Sequence, residues 1–141
     1  MPTTYVDTVT HYLRRLLGNR AQIREGHPIT LPDTHSEPEP DIAVVQPLGR
    51  EYLQHHPYPE NIYWLIEFAD TSLKKDVDPK AKVYAAAGIP EYWIVNLKTM
   101  ELLVFRDPMD HTYQSQLTLT NGTIAPLAFP EVEISVKHML Q

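Results

Sequence analysis

The sequence predicts an α/β (α+β) domain built on a sheet covered on both faces. Three observations carry that prediction. Apolar runs of strand length recur without alternation at Ile42 to Val45, Ile62 to Ile66, Tyr92 to Val95 and Leu102 to Phe105, the pattern of strands packed on both sides. A helical segment with clear start and stop signals separates the second run from the third. Another segment of helical periodicity opens the chain.

Taken in order, Thr3 to Leu17 places Val6, Val9, Tyr12, Leu13, Leu16 and Leu17 at three- and four-residue spacings, the stripe of an amphipathic helix. Gly18 is a natural stop. Gln22 to Ile29 reads as extended. Leu31 to Pro40 carries three prolines and three acidic residues with almost nothing apolar, so it reads as a loop. Ser72 to Ala87 is the clearest helix, with Thr71 or Ser72 as N-cap, and Gly88 and Pro90 end it. Pro79 lacks a backbone donor, which places the proper start of this helix near Asp78 with the proline in its first turn. Asn96 to Met100 is short enough to join the third and fourth runs as a hairpin. From Tyr113 to Gln141, the Asn121-Gly122 turn signal and the apolar stretches Ile124 to Phe129 and Ile134 to Leu140 allow no firm assignment.

The 141 residues suit one domain spanning 1–141, and 43% apolar content suffices for its core. Cysteine is absent, which excludes disulfides, thiolate nucleophiles and Cys-ligated metal sites. The formal charge of −6 excludes a generally basic nucleic-acid coat, so any polyanion must be met locally. No apolar run approaches the roughly 20 residues of a spanning helix, and no signal-peptide segment opens the chain, which reads as soluble, unexported and cytoplasmic. Every lysine lies in the second half, and Lys74, Lys75, Lys80 and Lys82 fall within nine positions. Such a run is most simply a solvated helix face.

Asp41 stands just before one apolar run and Glu67 just after another. If the two strands are antiparallel neighbours, both carboxylates reach one edge of the sheet. Two such acids repel unless a cation neutralises them, and all-oxygen ligation favours Mg²⁺ or Mn²⁺. In that arrangement the carboxyl groups lie roughly 4 to 6 Å apart. The plainer reading is that each acid ends a strand in solvent. Lys80 follows Glu67 by thirteen positions, and Asp76, Lys80 and Tyr84 are spaced by four, so a helix stacks them on one face. Lys80 then either reaches over the strand end or forms a surface pair with Asp76.

The runs Ser36-Glu37-Pro38-Glu39-Pro40-Asp41-Ile42-Ala43-Val44-Val45 and Leu65-Ile66-Glu67-Phe68-Ala69-Asp70-Thr71-Ser72-Leu73 precede a longer block, Asp76-x-x-x-Lys80-x-x-x-Tyr84-Ala85-x-Ala87-Gly88-Ile89-Pro90-Glu91-Tyr92-Trp93-Ile94-Val95. In this order they resemble the Uma family of putative restriction endonucleases, within the PD-(D/E)XK nuclease superfamily. The similarity extends from about Thr10 to the C-terminus. It implies a restriction-endonuclease-like fold, a mixed central sheet flanked by helices, with Asp41 and Glu67 as ligands of Mg²⁺ or Mn²⁺. Where the superfamily pattern has a lysine two positions after the second acid, this chain has Ala69. Members of the family place a lysine on the following helix instead, four residues after an aspartate, as Asp76 and Lys80 stand here. Family chains commonly begin with a further strand and an acidic residue, so the resemblance implies that this chain starts late, without an outer strand and an accessory carboxylate.

The expected function is metal-dependent hydrolysis of DNA phosphodiester bonds, with Asp41, Glu67 and Lys80 catalytic and Asp76 and Tyr84 accessory. Lys80 would orient or help deprotonate the attacking water, and Lys74, Lys75 and Lys82 would contact phosphates. The rival is an inactive interaction protein that keeps the nuclease fold, since fold and function are separable. Retention of two mutually repelling acids and a lysine argues against it. Tyr84, Tyr92 and Trp93 suggest base stacking, although Trp93, inside an apolar run, is better read as core, and Tyr84 reads equally well as packing between helix and sheet. His55 and His56 lack a third ligand for metal binding. A sheet that starts one element late leaves an edge for a partner, and the stripe of Val6, Val9, Leu13 and Leu16 offers a second surface, so a homodimer is expected.

Overall fold

The four predicted apolar runs become the middle of one sheet. The computed structural model describes the backbone of residues 3–70 and 73–141, and the side chains of 4–70 and 79–141. Helix α1 (Thr3–Leu17) leads into β1 (Gln22–Glu25), and the proline-rich loop leads into β2 (Ile42–Val45). Strand β3 (Ile62–Ala69), α2 (Leu73–Ala86), β4 (Glu91–Asn96), β5 (Glu101–Met109) and β6 (Thr112–Leu119) follow. Short β7 (Thr123–Ile124), β8 (Ile134–Ser135) and α3 (Val136–Met139) end the chain.

The six-stranded sheet runs β1-β2-β3-β4-β5-β6. Every neighbouring pair is antiparallel except β3 and β4, which are parallel. A parallel pair needs a crossover, and α2 supplies it. The sheet is therefore mixed and flanked by helices, as expected.

Alternation within the buried strands divides the core. Ile42, Val44, Trp64, Ile66, Trp93 and Val95 face α1; Ala43, Leu65, Tyr92, Ile94 and Phe105 face α2. Both helices bury an apolar stripe, which explains why the strands carry no polar face. Val9 and Leu13 of α1 are completely buried and Val6 is nearly so. The α1 stripe is thus spent on the chain's own sheet, and the expectation that it offers a second surface is overturned.

Gly88 ends α2. Its φ of +77° is a left-handed value that favours glycine. The Gly88 N–H donates to the Ala85 carbonyl at 3.0 Å and the Ile89 N–H to that of Tyr84 at 3.1 Å, the paired bonds of a Schellman cap. Pro79 lies inside α2, not in its first turn. The carbonyl four residues earlier loses its helical donor, and the proline itself is exposed.

The tail packs on the α1 side, where Phe129, Val132, Ile134 and Met139 join the core. It is held by Glu91, which is only 1% exposed. Glu91 Oε2 accepts from Arg106 Nε and Trp93 Nε1, each at 2.7 Å, and Oε1 accepts from the Leu127 N–H at 2.9 Å. Arg106 Nη2 also donates to the Ala125 carbonyl at 2.6 Å. These bonds satisfy the buried charge, which would otherwise be costly.

Candidate active site

Asp41 is placed by the end of the proline-rich loop. The Gly26 N–H donates to the Asp41 carbonyl at 2.9 Å, one bond beyond the β1–β2 ladder, so its backbone is held before β2 begins. The register pairs Ile42 with Ile66 across antiparallel strands, and Asp41 therefore lies beside Glu67. Asp41 Oδ2 accepts the Phe68 N–H at 2.8 Å. Because Ala43 and Leu65 face α2, period-two alternation turns both acids to that side. The antiparallel pairing from which the sequence argument started is present.

Glu67 is buried, being 8% exposed. Lys80 Nζ donates to its Oε1 at 3.0 Å. Tyr84 Oη donates to its Oε2 at 3.3 Å and Tyr92 Oη to the same oxygen at 3.1 Å. Lys80 and Tyr84 are one helical turn apart on α2, which is why both reach a single carboxylate. Lys80 thus pairs with Glu67 at the strand end; the side chain of Asp76, the other partner weighed, lies outside the described residues.

Burial raises the pKa of Glu67, Lys80 opposes that rise, and the neighbouring Asp41 charge adds to it. Burial, followed by the Glu67 charge, drives the Tyr84 and Tyr92 phenols far above their ordinary value. Both phenols stay protonated and act as donors.

A cleft of about 480 Å³ opens above this group, lined by Glu67, Lys80, Tyr84, Val83, Glu37 and Glu39 among others. In the sequence Glu37 and Glu39 are simply part of an acidic loop; the fold bends that loop over the cleft. Lys82 is exposed and stands two positions from Lys80, on a different face of α2. Asp76, Lys74 and Lys75 have side chains outside the described residues. Tyr84 and Tyr92 are buried and in edge-to-face contact, with ring centroids 5.0 Å apart. Trp93 is completely buried. These rings are packed against protein, which is the core reading for Trp93 and the helix–sheet packing reading for Tyr84, and neither they nor Tyr92 present a face for base stacking. The role of Tyr92 had no signal in the sequence, where it is one member of an apolar run.

The donor set suits a hard cation. Asp41 and Glu67 offer carboxylate oxygens on adjacent strands, and among the described residues no group of three or more His, Asp or Glu side chains forms a metal site. Two carboxylates with the remaining positions left to backbone oxygen, water and substrate match Mg²⁺, which keeps several waters. His55 Nε2 instead meets Glu51 Oε2 at 2.9 Å.

The Uma2 family model, described as "Putative restriction endonuclease", matches residues 3–137. The chain belongs to the Uma2 family. This Uma2 chain also superposes on the crystal structure of a putative nuclease belonging to DUF820 from Anabaena variabilis ATCC 29413. The TM-score is 0.72 at 14% identity, over 98% of this chain and 79% of that one. At that identity the likeness establishes the fold, and it is the nuclease-like fold the resemblance implied. No curated protein matches the chain. No helix among the described residues is long and apolar enough to cross a membrane.

Proposed function

We propose that this Uma2 chain is a metal-dependent DNA endonuclease that hydrolyses phosphodiester bonds. One juxtaposition carries the reading: Glu67, with Asp41 beside it on the neighbouring strand, receives Lys80 at 3.0 Å on the floor of an open cleft. Asp41 and Glu67 would hold Mg²⁺ (or Mn²⁺), which when bound supplies Lewis acidity to a water and a phosphate oxygen. Lys80 has a half-exposed side chain, so its ammonium serves both the carboxylate behind it and a phosphate oxygen in front of it. From that position it orients an attacking water and offsets charge building on the phosphate. Lys82, with Lys74 and Lys75 from the opening of the same helix, would supply phosphate contacts and set the register of the DNA backbone.

The test is cleavage of supercoiled plasmid with Mg²⁺ or Mn²⁺. The parent should nick or linearise it, chelation should stop the reaction, Asp41→Asn should abolish it, and Lys80→Ala should slow it by about 10² to 10³. A parent that binds DNA without cutting it would support the inactive interaction protein instead. The proposal includes a homodimer, because among the described residues β1 pairs with β2 alone and leaves a backbone edge for a partner. Light scattering should give twice the 16.2 kDa of one chain; the mass of a single chain refutes the dimer.

A further inference from the structure

The hydrogen bonds on Glu67 are divided unevenly. Its Oε2 accepts from both Tyr84 and Tyr92, and among the described residues its Oε1 accepts from Lys80 alone. A carboxylate oxygen has two lone pairs, and a phenol has one proton to donate. Two phenols on Oε2 therefore use its full accepting capacity. The two bonds, at 3.3 and 3.1 Å, are long for O–H···O contacts, as befits donors sharing one acceptor.

The rings delivering these protons are themselves fixed. Tyr84 is 3% exposed and Tyr92 1%. Tyr92 stacks on Phe105 with centroids 5.8 Å apart. Glu67 thus has one oxygen turned inward and saturated, and the other presented with Lys80 toward the cleft.

We infer that Tyr92, together with Tyr84, is a positioning residue for Glu67, fixing its rotation and reserving Oε1 for a divalent cation. The inference rests on the metal-dependent reading and adds to it the residues that aim the ligand. Outer-shell partners that orient a ligating carboxylate act this way, and losing one typically costs about 10- to 100-fold in metal affinity. Tyr113 provides an internal control. It lies on the same sheet face, its ring centroid is 6.5 Å from that of Tyr92, and its hydroxyl donates to the Ile89 carbonyl at 2.8 Å. Removing that hydroxyl removes a buried phenol bond without touching Glu67.

The experiment is Mn²⁺ titration of the whole chain followed by electron paramagnetic resonance of the free ion, for the parent and for Asp41→Asn, Tyr92→Phe, Tyr84→Phe and Tyr113→Phe. The parent should hold a Mn²⁺ that Asp41→Asn releases. Tyr92→Phe should weaken that binding about tenfold or more, Tyr84→Phe should weaken it less because its bond is longer, and Tyr113→Phe should leave it unchanged. Equal affinity in Tyr92→Phe and the parent overturns the positioning role while leaving the metal reading intact. An equal loss in Tyr113→Phe also overturns it, by showing a general effect of buried hydroxyls. A parent with no Mn²⁺ that depends on Asp41 overturns both the inference and the reading beneath it.

Discussion

Asp41 accepts the backbone N–H of Phe68 at 2.8 Å, which ties the first acid of the cleft to the residue immediately after the second. The bond fixes Asp41 Oδ2, and among the described residues its partner oxygen makes no hydrogen bond. An asparagine in its place would retain a carbonyl oxygen for Phe68 while losing the charge that disfavours ionised Glu67. The Asp41→Asn protein should therefore melt no lower than the parent while losing plasmid cleavage. Thermal unfolding and a cleavage assay on one preparation check both halves.

Lys80 and Lys82 form a matched pair for testing the role of charge. Of the two, Lys80 touches Glu67; Lys82 sits on another face of the helix. Lys80→Ala should slow cleavage by about 10² to 10³, the usual loss when a preorganised donor is removed. Lys82→Ala should cut at nearly the parent rate and bind DNA with a shallower salt dependence. Rate measurements at saturating DNA separate the two effects.

Glu67 makes stability depend on pH with a definite sign. Burial raises its folded pKa above the ordinary value of 4.5, so the folded state holds that proton more tightly than the unfolded state. The cost of ionising Glu67 is absent below 4.5, grows as pH rises toward the folded pKa, and is fully present above it. Glu67→Gln should remove this decline and be at least as stable as the parent at neutral pH. Urea midpoints from about pH 4 to about pH 8 give the comparison.

The acidic rim predicts an unusual charge effect. Glu37 and Glu39 line the cleft with Glu67, where they oppose an approaching phosphate backbone. Changing both to glutamine should tighten DNA binding at low salt, with the gain fading as the Debye length falls below about 10 Å near 0.1 M. Binding isotherms across a salt series measure it.

Much of this was legible from residue order. Strand β2 spans Ile42–Val45 and α1 spans Thr3–Leu17, matching the sequence expectation, because one is an apolar run and the other a clean helical stripe. Glu67 with Lys80 was readable because helix spacing and strand ends are local properties. The bond from Tyr92 to Glu67 was not, since it depends on parallel register between strands joined through a helix. Strand β6 carries no clear sequence signal because it is a largely exposed edge strand in which Tyr113 is the buried residue. The Glu91 clamp gave no sign either: its partners Arg106 and Leu127 come from distant segments.

The order in which the chain is made bears on its production. Trp64 and Trp93 lie on the face that Phe129, Val132, Ile134 and Met139 help to cover, and the Ser135 N–H reaches back to Tyr12 Oη at 2.9 Å. A nascent polypeptide that has emitted every strand of the large sheet still leaves part of that face wet until these later residues leave the ribosome. Premature termination after β6 would release an intermediate with open tryptophan-bearing surface, the kind of species that aggregates or recruits chaperones. Synthesis through α3 is thus a condition for sealing α1, the first helix made.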